Sequence, residues 1–175
     1  MVTPCALKVC QLTGSAIFYN PKPRRLIAFS PSTFLLFSGE IFDFVTCGFG
    51  IMEKHPDLKI ICLETGASQM PWWLSRMDEH WEKLPHLVPW QKRKPSDIFN
   101  QSVYVGCEPF EDGLFEWAVE YLGGDRLVLA TDSPHWDSSQ PGQVTGPVAR
   151  STKISQENKR KVLGENAINL LGLGL

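Results

Sequence analysis

Three short apolar runs, each followed within two residues by an acid, constrain this chain more than any other feature. They are Leu58–Leu63 (L-K-I-I-C-L), Ser102–Cys107 (S-V-Y-V-G-C) and Arg126–Ala130 (R-L-V-L-A). Near-continuous apolar runs of this length read as strands buried on both faces, the habit of parallel sheets. Helical patterns stand between them. Ser68–Leu84 repeats Met70, Trp73, Leu74, Met77 and Trp81 at spacings of three and four, with Pro71 in the first turn where proline is tolerated. Gly113–Leu122 is a second helix, closed by Gly123 and Gly124 in the C-terminal glycine position.

Around that centre the pattern extends in both directions. Glu40–Lys54 suits a helix, ended by His55-Pro56-Asp57. Pro95–Asn100 reads as a short helix after a proline-bounded basic loop, Pro85–Pro95. Thr131–Arg150 reads as a long polar loop, because Pro134, Pro141, Gly142, Gly146 and Pro147 interrupt it. Ser155 caps a last helical region running to about Leu171, with a break expected at Gly164. Strands alternating with helices predict an α/β chain with three parallel strands.

Composition narrows the class. At 175 residues the chain suits one domain, but falls short of the ~250 that a complete (β/α)₈ barrel takes. An apolar share of 43% and a charged share of 21% argue against disorder. The net charge of −2 offers no basic footprint for nucleic acid, and no apolar run is long enough to span a membrane. Five cysteines (Cys5, Cys10, Cys47, Cys62, Cys107) without a C-x-x-C read as buried thiols, and a cytoplasmic location is the default expectation. Residues 1–39 differ from residues 40–175. They hold Lys8, Lys22, Arg24 and Arg25, four prolines and no acid. Three readings of this N-terminal arm stay open: a transit segment, a poorly ordered arm, or sequence foreign to the adjoining domain.

Ligand sites in parallel α/β folds lie beyond the carboxyl ends of the strands. Glu64 comes after the first strand and Glu108 after the second, while Asp132 and His135 come after the third, in A-T-D-S-P-H-W-D. Carboxylates and imidazole serve both hard cations and proton transfer. Each also has a plainer reading. Asp132 before Ser133-Pro134 can open a turn, Glu64 and Glu108 can be solvated loop acids, and His135 can pack on Trp136. His55, His80 and His86 fall before a strand, late in a helix and in the loop beyond it, so structural or surface roles suit them.

With these residues in view, the sequence resembles the C-terminal part of the amidohydrolase-related family (the amidohydrolase 2 group). The matching stretches are H-P-D-L-K-I-I-C-L-E-T-G (55–66), W-L-S-R-M-D-E-H-W (73–81) and K-R-K-P-S-D-I-F (92–99). They continue with V-Y-V-G-C-E-P (103–109), L-G-G-D-R-L-V-L-A-T-D-S-P-H-W-D (122–137) and K-V-L-G-E-N-A-I-N-L-L-G-L (161–173). The resemblance implies a partial TIM-like (β/α)₈ barrel whose three parallel strands are barrel strands six to eight. It implies a metal-dependent hydrolase acting on a small-molecule substrate, with a carboxy-lyase (decarboxylase) of the same family as the alternative. A divalent metal, zinc ahead of manganese, is the implied cofactor of the complete family barrel, and this chain by itself need not hold one. Asp132 then falls on the aspartate that ligates the metal and handles a proton, and His135 on a histidine of the same motif. Glu64 and Glu108, which follow the other two strands, are the candidate substrate-binding acids.

Two departures qualify what the resemblance implies. Glu64 stands where several decarboxylases of the family have a histidine. The family's His-x-His is not in this sequence, since no two of the four histidines are two apart. Catalysis by these residues alone is therefore not expected, and a non-catalytic interaction half-barrel is the third reading. Open strand edges make a homo-oligomer a further expectation.

Overall fold

The structure, a computed structural model, describes residues 15–19, 25–29, 50–63, 66–107, 113–131 and 141–173. The strands β1 (Ser15–Tyr19), β2 (Arg25–Phe29), β3 (Lys59–Cys62), β4 (Val103–Cys107) and β5 (Leu127–Leu129) follow one another in the sheet in chain order. The chain divides into two compact units, Met1–Thr65 with Trp73–Tyr104, and Gly66–Trp72 with Val105–Leu175.

The first unit holds β1 (Ser15–Tyr19), β2 (Arg25–Phe29), helix α1 (Ile51–Lys54) and β3 (Lys59–Cys62). β1 and β2 pair antiparallel, Ser15 opposite Phe29 and Tyr19 opposite Arg25. β2 then pairs parallel with β3, from Leu26 opposite Lys59 to Phe29 opposite Cys62. These two N-terminal strands add to the three that the sequence pattern predicts. Ile60, Ile61 and Cys62 are all buried, as a strand covered on both faces requires. The helix predicted over 40–54 is seen only at its end, as α1, because residues 40–49 lie outside the described ones.

Helix α2 (Met70–Lys83) follows a 3₁₀ turn at Ala67–Gln69. Met70, Leu74 and Met77 form its buried stripe, as the spacing predicts, while Trp72 is exposed. Helix α3 (Pro95–Ser102) starts with Pro95 at its first position. Its free N-terminal N–H groups need acceptors, and α2 supplies one. Asp78 Oδ1 accepts from the Ser96 N–H at 3.0 Å and Oδ2 from the Ser96 hydroxyl at 2.6 Å.

The second unit takes up the chain within β4 (Val103–Cys107), then helix α4 (Phe115–Leu122) and β5 (Leu127–Leu129). Gly123 ends α4 with φ 76°, a left-handed backbone angle that side chains oppose. In place of the second half of the predicted polar loop, residues 141–150 form helix α5 (Pro141–Arg150). Proline at its first position costs no hydrogen bond, and the helix carries Pro147 inside it. Ser155 caps α6 (Gln156–Arg160) by accepting the Asn158 N–H, as the capping pattern predicts. The chain kinks at Gly164, the predicted break, and resumes as α7 (Asn166–Leu171).

Candidate functional site

The candidate residues stand just beyond the parallel strands, so the strand ends are the frame of the site. β4 and β5 pair parallel in the second unit, with Val105 opposite Leu127 and Cys107 opposite Leu129. The ladder continues one step further, where the Ala130 N–H donates to the Cys107 carbonyl at 3.2 Å. Val105, Gly106, Cys107, Leu127 and Val128 are buried. Two parallel strands fixed in register run in the same direction and end on the same side. In the sequence Glu108 follows Cys107, and Asp132 follows Thr131 two residues after Ala130. In the first unit Glu64 follows Leu63, one residue past the end of β3.

Glu64, Glu108, Asp132 and His135 all lie outside the described residues. The frame is therefore the strand ends and the backbone leading to them. Among the described residues no three histidine, cysteine, aspartate or glutamate side chains come together as a metal centre needs. Asp132 is thus the candidate carboxylate for a divalent ion, with His135 three residues after it in the sequence.

The remaining histidines sit where a structural reading puts them. His55, His80 and His86 are exposed. His55 follows the last turn of α1, ahead of β3. His80 Nε2 lies 3.1 Å from an Arg76 guanidinium nitrogen one helical turn back, within an exposed group that includes Glu79 and Lys83. Lys83 and Arg76 hold the Glu79 carboxyl below the usual carboxylate range. Cys62 and Cys107 are buried thiols that form no disulfide, the state expected for them. No helix among the described residues is long and apolar enough to cross a membrane.

The second unit carries one further polar group, formed between α4 and the chain just past α5. Glu116 of α4 accepts from the Ser151 hydroxyl and pairs with Lys153 at 2.8 Å, just past the end of α5. Lys153 and Ser151 hold its carboxyl below the ordinary value, and Glu116 raises the Lys153 ammonium in return.

Comparison with known proteins bears on the whole frame. No curated protein matches the chain. An amidohydrolase of Mycobacterium avium subsp. paratuberculosis K-10 superposes with a TM-score of 0.66 at 17% identity, over 83% of this chain and 42% of that one. A dihydroxybenzoic acid decarboxylase of Polaromonas sp. JS666, solved with bound manganese and 2-nitroresorcinol, gives 0.63 at 27% identity over 78% and 40%. A 2,6-dihydroxybenzoate decarboxylase in complex with 2,6-dihydroxybenzoate gives 0.62 at 26% identity over 77% and 40%. The chain thus spans about two fifths of the length of these structures. Its three parallel strands in an open sheet are part of their barrel fold. The amidohydrolase family model matches residues 49–173, the stretch that holds β3, β4, β5 and every candidate residue. On that match, which covers well over half of its length, the chain belongs to the amidohydrolase family.

Proposed function

We propose that this chain contributes the strand six-to-eight part of a metal-dependent amidohydrolase-family site acting on a small organic substrate. The observation that carries the reading is the parallel register of β4 and β5, whose carboxyl ends lead in sequence to Glu108 and Asp132. In this reading Asp132 is a metal ligand and the proton-handling carboxylate. His135, three residues on, serves the same reacting centre. Glu64 and Glu108 bind the substrate, accepting hydrogen bonds from its hydroxyl or N–H groups. A bound divalent ion, zinc or manganese, would supply Lewis acidity and orient the substrate. In a hydrolytic reaction Asp132 takes the proton of the attacking water at its carboxylate oxygen. In a decarboxylation it returns a proton to the substrate carbon.

The hydrolase is the first reading, because Glu64 brings a negative charge where a carboxylate-bearing substrate would be repelled. The decarboxylase is kept as a second reading on one observation. Two solved relatives above 25% identity are dihydroxybenzoate decarboxylases. The sequence holds no His-x-His, so such a pair supplies none of the ligands in this chain. We place the site in a homo-oligomer or a larger barrel assembly and the protein in the cytoplasm.

The test is a titration of the 175-residue protein with manganese, and separately with zinc. Binding of either ion, weakened at least about tenfold by Asp132→Asn, is the expected result. Equal binding by parent and variant would remove Asp132 from the metal site. Release of carbon dioxide from 2,6-dihydroxybenzoate by the manganese-loaded protein would favour the decarboxylase and overturn the expectation that these residues do not catalyse alone.

A further inference from the structure

The outer edge of β5 carries a side chain where a further strand would bond. Among the described residues β5 ends the sheet, at the opposite end of the order from β1. Ala130, just past β5, donates its N–H to the Cys107 carbonyl and so turns toward β4. Successive residues of a strand turn their backbone groups to opposite sides. Leu129 and Leu127, one and three residues earlier, therefore turn theirs to the side that β4 does not reach. A strand added on that side would bond to these two residues, since β5 runs only from Leu127 to Leu129.

Asn166 already occupies half of that edge. It is only 7% exposed and donates from Nδ2 to the Leu127 carbonyl at 2.8 Å and the Gly124 carbonyl at 2.6 Å. One amide thus holds both the outward carbonyl of β5 and the 3₁₀ turn that leads into the strand. The amide comes from the first residue of α7, two positions after the kink at Gly164. The kinked segment 161–165 and α7 both pack against β5. An open strand edge is a template for another chain, and proteins blunt such edges with short strands and covering segments. With the Leu127 carbonyl taken, Leu129 is left as the outward-facing residue of β5, and one residue does not fix a strand in register.

We propose that Asn166 is an edge guard: by holding the Leu127 carbonyl it bars β5 from pairing with a strand of a second copy of this chain. A strand joining β5 must take that carbonyl from Asn166, and a buried donor deprived of its acceptor is costly. The guard stands on the register and hydrogen bonds of the second unit, and no metal or substrate enters it.

The experiment measures self-association by sedimentation over a series of protein concentrations. Asn166→Leu removes the donor and keeps a side chain of similar size. Adding Leu129→Pro removes the outward N–H of β5 and spares the ladder to β4, because proline is tolerated on an edge strand whose N–H faces outward. Val119→Ala, in the buried face of α4, lowers stability and removes no donor from the edge, so it controls for exposure through unfolding. Asn166→Leu should self-associate at least about tenfold more tightly than the parent, and the double variant should return to within about threefold of it. Val119→Ala, compared at the same distance below its urea midpoint, should associate like the parent. Association of Asn166→Leu equal to that of the parent overturns the guard. So does an equal rise in Val119→Ala, or a double variant that associates as tightly as Asn166→Leu. If Asn166→Leu does not fold, Asn166→Ala, which admits water at the vacated amide, takes its place with the same outcomes.

Discussion

The two units fasten their loops by different chemistry. In the first unit the fasteners are charged side chains near the surface. Glu53 Oε1 of α1 accepts from the Lys92 N–H at 3.2 Å and the Arg93 N–H at 3.0 Å, while its other oxygen meets the Arg93 guanidinium. Arg93 reaches on to Gln101, and Lys94 pairs with Glu82. The proline-bounded basic loop is thereby pinned by two carboxylates, Glu53 and Glu82. In the second unit the fasteners are buried groups aimed at backbone carbonyls, Asn166 at Gly124 and Leu127, Lys159 at Ala149. Water and salt can replace much of what an exposed ion pair supplies. They cannot replace a buried donor, whose loss strands the carbonyl it served. The second unit should therefore be hurt by neutral, shape-preserving substitutions, and the first by ionic strength.

The largest break in that comparison is Asn166→Leu. It removes a buried donor that serves two carbonyls, and we expect a loss of about 2–4 kcal/mol, read from the urea midpoint. A loss below about 1 kcal/mol would mean that solvent reaches Gly124 and Leu127 and that the contrast between the units is false. Next comes Gly124→Ala. A methyl group there would lie 2.5 Å from Asn158 Oδ1 and 2.9 Å from Asn158 Cβ, too close for either atom. The 3₁₀ turn at Gly124–Arg126 and helix α6 would have to part, at about 1–3 kcal/mol. The double variant with Asn158→Ala, which removes Oδ1 and Cγ but keeps Cβ, should recover part of that loss. If it does not, crowding by Asn158 is not the cause.

In the first unit the matching change is Glu53→Gln, which keeps the shape and removes the charge. Its side chain is 18% exposed and that of Arg93 35%, so part of the interaction is screened by water. We expect about 1–2 kcal/mol at low salt. The gap between parent and variant should narrow in about 1 M salt, where the Debye length is about 3 Å. A gap that stays the same across that range would show a packing effect, and would erase the distinction from the second unit.

Much of the described fold is legible in the sequence, and the reasons are local. β3, β4 and β5 are apolar on both faces, and the stripe of Met70, Leu74 and Met77 keeps a helical period. Gly123 and Ser155 mark helix ends through backbone angle and side-chain capping. β1 and β2 escape such a reading because S-A-I-F-Y and R-L-I-A-F are short and set among prolines, and their strand identity comes from pairing with each other and with β3. Helix α5 escapes it because glycine and proline lower local helix propensity, which tertiary contacts override. Val148 is buried there, and Lys159 meets the Ala149 carbonyl. The candidate site is legible as an order of residues, acid after strand three times over. The fasteners behind it are not, since nothing in K-V-L-G-E-N-A says which carbonyls Asn166 will reach. Those partners lie about forty residues away, at Gly124 and Leu127, and only the fold brings them together.

The smallest expected effect belongs to a surface pair that stands in the second unit yet behaves like the fasteners of the first. Glu116 is held below its ordinary value of 4.5, first by the hydrogen bond with Lys153 and then by that with Ser151. Lys153 is held above its ordinary value of 10.5 by the same contact. A lowered carboxyl means that the unfolded chain binds more protons than the folded one just below the ordinary value, so stability rises with pH there. Its contribution is complete above 4.5 and is lost as pH falls through the lowered folded value. The lysine contributes below 10.5 and loses its share as pH rises through the raised value. Glu116→Gln should therefore lower mid-range stability slightly and flatten both limbs of the stability profile, since it also removes the contact that raises Lys153. Lys153→Met should flatten both limbs, because it removes the larger cause of the Glu116 shift. Urea midpoints from about pH 3 to 11 measure this. An acid limb unchanged by both variants would show that solvent screens the pair completely, and that burial alone separates the strong fasteners of the second unit from the weak ones of the first.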